Sequence, residues 1–173
     1  ADMDGDGDLD IVNGAMCQVW FNNGYGKFKN STQFLGIAPA TQIKAGDLDG
    51  DGDLDLVVVN PGKGVFEYKN NGKGLFDVAK AEVIGVPDPD AIDLVDIDRD
   101  GDLDLAVTNL NEPPTIHRND SDQGNRLVLE LRGTGSNRNG IGSSIELRTS
   151  AGIQVRQFNP MRGFCSCDED LVH

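Results

Sequence analysis

The stretch DMDGDGDLDI (residues 2–11) carries aspartate at every second position, and the arrangement returns as DLDGDGDLDL (47–56) and DIDRDGDLDL (96–105). Numbered from its first aspartate, each loop has carboxylates at positions 1, 3, 5, 7 and 9. They are Asp2, Asp4, Asp6, Asp8 and Asp10; Asp47, Asp49, Asp51, Asp53 and Asp55; and Asp96, Asp98, Asp100, Asp102 and Asp104. Position 6 is Gly7, Gly52 or Gly101. These loops hold 15 of the 29 acidic residues, a clustering that a solvated acidic surface does not need and that cation sites do. Alternating carboxylates on a tight loop can converge on one point, and the glycine permits the turn that brings the position-7 carbonyl inward. At position 7 the carbonyl can ligate while the side chain points away. Hard oxygen donors on a flexible loop suit Ca²⁺, which takes about six to eight of them. Mg²⁺ keeps several waters and a stricter octahedron, so it is the weaker fit. About three Ca²⁺ sites are expected.

The first seven positions share their chemistry with an EF-hand loop, but the scaffold differs. An EF-hand needs a bidentate glutamate at position 12, where these loops have Asn13, Val58 and Val107. It also needs an exiting helix, whereas the segments that follow, LDIVNGA, LDLVVVN and LDLAVTN, have the composition of strands. Without an ion the clustered charges repel; with one, repulsion becomes ligation. Binding to the folded state alone adds about 1.4 kcal/mol per site at ten times Kd, or roughly 4 kcal/mol for three independent sites. Extracellular Ca²⁺ modules bind at about 10⁻⁴ to 10⁻³ M, so the expected location is extracellular, secreted or at the cell surface.

The loops recur at offsets of 45 and 49 residues (Asp2 to Asp47, Asp47 to Asp96), a period of stacked or circular repeats. TQIKAG feeds the second loop and AIDLV the third, while VWFNNGYGKF (19–28) and VFEYKNNGKGLF (65–76) place Asn-Asn-Gly turns between aromatic-bearing strands. In the third repeat the matching IHRNDSDQGN (116–125) loses the hairpin pattern. Four strands in this span make one propeller blade. The expectation is an all-β chain: two to three blades of a partial β-propeller over 1–121, then a small antiparallel β domain over 122–173. Because so few blades cannot close a ring, the chain is expected to be a fragment whose partners include the remaining blades of a parent protein. In the second domain NRLVLELRG (125–133), SSIELRTS (143–150) and IQVRQF (153–158) alternate apolar and polar residues, predicting one buried and one wet face.

A net charge of −14 disfavours nucleic acid, which needs a basic surface, and there is no apolar run of membrane-spanning length. Cys17, Cys165 and Cys167 are an odd set that gives no disulfide framework; Cys17 is expected as a buried thiol. Asp88, Asp90 and Asp93, beside a proline-containing turn, are expected to be solvated. SNRNGIG (136–142) is expected to form a hairpin turn at Asn139-Gly140 rather than an anion site at Arg138. The two histidines, His117 and His173, have no nucleophile partner in a recognisable motif, and neither a Gly-x-Ser-x-Gly nor a phosphate loop occurs. A non-enzymatic chain is expected. Trp20, Phe21, Tyr25 and Phe66 near the loops could hold a sugar, although their hairpin spacing suits blade core better.

The Asp-x-Asp-x-Asp-Gly-x-x-Asp loops and the hairpins FNNGYGKF and KNNGKGLF resemble the FG-GAP/VCBS repeats of integrin-type β-propellers. The stretch NRLVLELRGTGSNRNGIGSSIELRTSAGIQVRQFNPMRGF resembles the ASPIC/UnbV domain that follows such repeats. The resemblance implies an extracellular calcium-binding module for protein, matrix or glycan recognition and adhesion. The alternative it implies is an ancillary or carbohydrate-binding part of a secreted polysaccharide-active enzyme.

Overall fold

The computed structural model describes residues 1–36, 39–86, 88–121, 127–150, 152–159 and 171–172; Cys165, Cys167 and His173 lie outside them. These residues form antiparallel sheets, joined by one short 3-10 turn at Val78–Lys80. Blade one contains β1 (Ile11–Asn13), β2 (Gln18–Asn22) and β3 (Phe28–Phe34) in that order. Blade two contains β4 (Gln42–Gly46), β5 (Asp55–Asn60), β6 (Gly64–Tyr68) and β7 (Glu82–Ile84). Blade three contains β8 (Pro89–Val95), β9 (Asp104–Asn109) and β10 (Thr115–His117). The second acidic loop joins β4 to β5, the third joins β8 to β9, and the first leads into β1.

The β5 run LVVV is continuously apolar because both faces of this strand are covered. Every β5 residue is buried. Side chains alternate across a strand, so Leu56 and Val58 enter one core with Met3, Cys17, Val19 and Leu35, while Val57 and Val59 enter another with Val65, Ile92, Leu105 and Val107. The first core is the interface between blades one and two, and the second lies between blades two and three. Burying each such aliphatic side chain contributes about 1.5–3 kcal/mol, so blade stacking is the main apolar term. The Tyr68 hydroxyl donates to the Leu35 carbonyl at 2.8 Å across the first interface. Cys17 is fully buried as a free thiol, and burial pushes its pKa up.

The blades are also joined by a repeated asparagine clasp. Asn70 Nδ2 donates to the Leu54 carbonyl of its own loop (3.0 Å) and to the Met3 carbonyl of the preceding loop (2.8 Å). Asn119 Nδ2 does the same to Leu103 (3.3 Å) and Leu48 (2.7 Å). Asn22 Nδ2 reaches the Leu9 carbonyl at 3.2 Å. Asn119 keeps this role although the Asn-Asn-Gly signature around it is gone, because the clasp needs one amide rather than a tight turn.

Several expectations need adjusting. In blade two the Asn-Asn-Gly turn closes through an isolated Asn70–Phe76 bridge, and the fourth strand comes later as β7. Asp93 is not merely solvated: its carboxylate lies 2.7 Å from Lys44 Nζ of the neighbouring blade, while Asp88 and Asp90 are exposed. In the C-terminal region β12 (Ser144–Arg148) pairs with β13 (Ile153–Gln157), but 125–133 contributes only β11 (Leu129–Glu130), which pairs with β14 (Leu171–Val172). Alternation specifies a strand's faces and not its partner, so the pairing of β11 with the far end of the chain had no local signal. The 136–142 segment is a turn, stapled by the Asn137 side chain to both main-chain groups of Ile141.

The clasp predicts a graded response. Asn70→Ala leaves two inward-facing carbonyls without their donor and should cost about 2–4 kcal/mol in urea unfolding, against about 1 kcal/mol for Asn22→Ala. Equal costs would show that the inter-blade bond contributes nothing.

Candidate metal centres

Each acidic loop is first shaped by its own carboxylates. Asp2 accepts main-chain N–H groups from Gly5 (2.9 Å) and Gly7 (3.0 Å), and Asp47 accepts them from Gly50 (2.8 Å) and Gly52 (2.9 Å). Asp96 accepts from Gly101 at 3.1 Å. Position 5 accepts from the position-7 N–H in all three loops, through Asp6, Asp51 and Asp100. Position 6 is left-handed throughout, with φ of 94° at Gly7 and Gly52 and 99° at Gly101, a conformation glycine adopts without a Cβ penalty. Position 4 is left-handed too, but in the third loop it is Arg99, with φ of 65°.

The position-9 aspartates have a separate task. Asp10 accepts N–H groups from Met3 and Asn22, Asp55 from Leu48 and Asn70, and Asp104 from Ile97 and Asn119, all at 2.8–3.0 Å. Each therefore ties the start of its loop to the clasp asparagine. All three are buried, Asp55 completely.

The loop carboxylates, the position-9 pair Asp55 and Asp104 included, also divide by direction. One carboxylate oxygen from each member lies within 4.8 Å of the others in three trios: Asp2, Asp4 and Asp6; Asp47, Asp49 and Asp55; Asp96, Asp98 and Asp104. Positions 1 and 3 thus converge in every loop, joined by position 5 in the first and position 9 in the others. Asp10, Asp51 and Asp100 lie in their loops outside these trios. At position 7, Asp8 and Asp53 turn toward the hairpins: a Cβ at Gly24 would lie 2.7 Å from Asp8 Oδ2, and one at Gly72 would lie 2.6 Å from Asp53 Oδ2. Asp102 is buried.

Burial, and to a lesser extent the neighbouring carboxylates, raises the proton affinity of several of these groups. Asp4 is pushed up to about 6 by burial and by Asp10 and Asp6. Asp55 is pushed up to about 7, mainly by burial, against the lowering effect of its two N–H donors. Burial also raises Asp2, Asp47, Asp51 and Asp53. Asp49 Oδ1 and Asp96 Oδ1 are buried without a hydrogen-bond partner. A buried acceptor left unsatisfied is costly, and both belong to converging trios, so the donor set fits a hard divalent cation.

The sequence reading missed Asn22, Asn70 and Asn119 as loop anchors, although each follows its position-9 aspartate by 12, 15 and 15 residues. It also missed three bases at the loops. Lys69 Nζ lies 3.4 Å from Asp49, Arg118 bridges Asp98 and Asp100, and Arg156 of β13 donates to the Gly52 carbonyl at 3.0 Å. Of the aromatic residues, Phe21 and Phe66 pack against the core, while Tyr25 is 88% exposed at a hairpin tip.

Stacked antiparallel sheets, entered by aspartate loops at the starts of β1, β5 and β9, define a propeller-type repeat protein. The family model described as FG-GAP-like repeat matches residues 2–58 and 47–107, and the chain belongs to that family. A second model, ASPIC and UnbV, matches 133–173 and assigns that domain to the end of the chain. No curated protein and no solved structure matched the chain. FG-GAP-like repeats are typical of extracellular proteins and suggest an interaction module. No helix among the described residues is long and apolar enough to cross a membrane.

Two outcomes follow from the loop geometry. Carboxylates raised in the folded state bind protons more tightly there than in the unfolded chain, so metal-free stability is highest in acid and falls as pH rises through about 6 and 7, the values of Asp4 and Asp55. Melts in chelator should give a lower Tm at pH 8 than at pH 5; a higher one contradicts the burial argument. Arg99→Gly should stabilise the protein by about 1 kcal/mol, since a left-handed non-glycine residue costs roughly 1–2 kcal/mol, partly offset by glycine's freedom when unfolded. Destabilisation would show that the Arg99 side chain compensates its backbone.

Proposed function

We propose that this chain is a non-enzymatic, extracellular calcium-binding module for protein or matrix recognition and adhesion, with structural Ca²⁺ in its three acidic loops. The observation that carries the reading is the convergence of the position-1 and position-3 carboxylates in all three loops, with buried, unsatisfied oxygens on Asp49 and Asp96. Asp2, Asp4 and Asp6, Asp47, Asp49 and Asp55, and Asp96, Asp98 and Asp104 would hold the ions. When bound, Ca²⁺ supplies the counter-charge that lets each loop stay folded against its neighbours. The chain's own part is to hold the loop open at its glycines and to anchor it through the position-9 aspartate. The loops then become rigid connectors on one side of the blades, where a partner can dock without ordering them first. The domains run over 1–121 and 122–173 in this reading.

Tyr25 favours a second reading, an ancillary or carbohydrate-binding part of a secreted polysaccharide-active enzyme. A ring that is 88% exposed is available for stacking on a sugar. A glycan array probed with and without chelator separates the two: calcium-dependent binding to defined sugars supports the carbohydrate reading, and a blank array supports the protein or matrix reading.

The calcium reading is tested by thermal unfolding. Saturating Ca²⁺ should raise Tm by roughly 10 °C over the chelated protein, as expected for about 4 kcal/mol of linkage. Asp47→Asn combined with Asp96→Asn should remove most of that gain. An identical Tm in calcium and in chelator rejects the proposal.

A further inference from the structure

The three loops match in their aspartates but not in the charges around them. Arg99 stands at position 4 of the third loop and Arg156 bonds the Gly52 carbonyl of the second, but the bases paired with converging carboxylates sit at one repeat position, the residue before the clasp asparagine, which is Phe21, Lys69 or Arg118. In blade two Lys69 Nζ lies 3.4 Å from Asp49 Oδ2. In blade three Arg118 Nε lies 2.9 Å from Asp98 Oδ2, and its Nη2 lies 3.6 Å from Asp100 Oδ2. Arg118 also pairs with Asp120 at 2.6 Å. Asp49 and Asp98 are the position-3 members of the converging trios, so each base holds a carboxylate that faces the cation position. In blade one the equivalent residue is apolar: Phe21 packs against the first core and against Gly74. Among the described residues, no basic side chain is ion-paired with a carboxylate of the first loop.

A fixed positive charge beside a ligating carboxylate neutralises part of its field and repels an incoming ion, and the repulsion is doubled because the ion is divalent. We propose that Lys69 and Arg118 are built-in counter-cations that grade the three sites, so that the first loop takes Ca²⁺ most tightly and the second and third fill at higher concentration. This rests on the reading that the loops bind calcium and adds which residues set their order. It also assigns the loops different roles. The second and third loops are partly neutralised by the protein itself and can hold their shape at low calcium. Among the described residues the first loop has no side-chain base paired with its carboxylates, the Ala1 ammonium reaching the Asp10 carbonyl instead, so its order follows calcium most closely.

The test is a calorimetric Ca²⁺ titration of the whole chain at low ionic strength. One tight site and two weaker sites, separated by roughly tenfold, are expected. Lys69→Met and Arg118→Met should each tighten one weak site by a similar factor. Both side chains are largely exposed, at 49% and 60%, so their removal is not expected to disturb folding. Asp4→Asn should abolish the tight site and leave the other two. Added salt should narrow the spread by screening the two bases. Three equal sites overturn the grading, as does a weak class that either base substitution leaves unchanged or weakens; calcium binding itself then stands. No heat of binding from the wild-type chain at millimolar Ca²⁺ overturns the calcium reading and the grading with it.

Discussion

The architecture depends on a buried carboxylate at the end of each acidic loop. Asp10, Asp55 and Asp104 each accept one N–H from the second residue of their own loop and one from the clasp asparagine on the hairpin side. Burying an ion is costly unless it is hydrogen-bonded; two main-chain donors offset part of that cost, and burial still holds Asp55 up at about 7. The bonds close the loop into a ring at the entrance of the strand that follows it, β1, β5 or β9. They also fix where the asparagine amide points, and in blades two and three that amide reaches the preceding blade. Loop shape, strand entry and blade-to-blade contact therefore share one group.

The same arrangement accounts for the charge pattern. The position-1 and position-5 carboxylates spend oxygens on main-chain N–H groups of the loop, which bends it and draws positions 1 and 3 together. Burial, with the neighbouring negative charges adding to it, raises the proton affinity of Asp4 and Asp55, and the arrangement leaves oxygens on Asp49 and Asp96 unsatisfied. The polypeptide answers part of that charge with Lys69, Arg118 and Arg156. The rest is the feature from which cation binding is inferred.

Away from the loops, stability comes from strands covered on both faces. β5 is the extreme case, contributing alternate side chains to two cores that are also the two blade interfaces. The C-terminal β12–β13 hairpin adds a further layer: Gln154 lies against Gly52, Val155 near Gly7, and Arg156 bonds the Gly52 carbonyl. A side chain at position 6 of the second loop would be disfavoured by the left-handed backbone and would also have to displace the Gln154 amide.

Much of the fold could be read from sequence because its signals are local. The alternation of aspartates, the glycine at position 6, the strand-like exits and the Asn-Gly turns all act through bonds spanning about five residues or fewer, and the chain implies an all-β repeat protein from them alone. What lay beyond it were contacts between residues far apart in sequence. Asn70 meets Met3 and Asn119 meets Leu48 across 67 and 71 positions, Arg156 meets Gly52 across 104, and β11 finds β14 rather than β12. Periodicity states which face of a strand is apolar, not which strand or blade will cover it. The sequence by itself determined the loops and their chemistry, because a carboxylate bonding its own turn needs no distant partner. Tertiary structure decided which aspartates converge, which point away and which are shadowed by a base, because strand pairing brings the hairpin side of each blade back over its own loop.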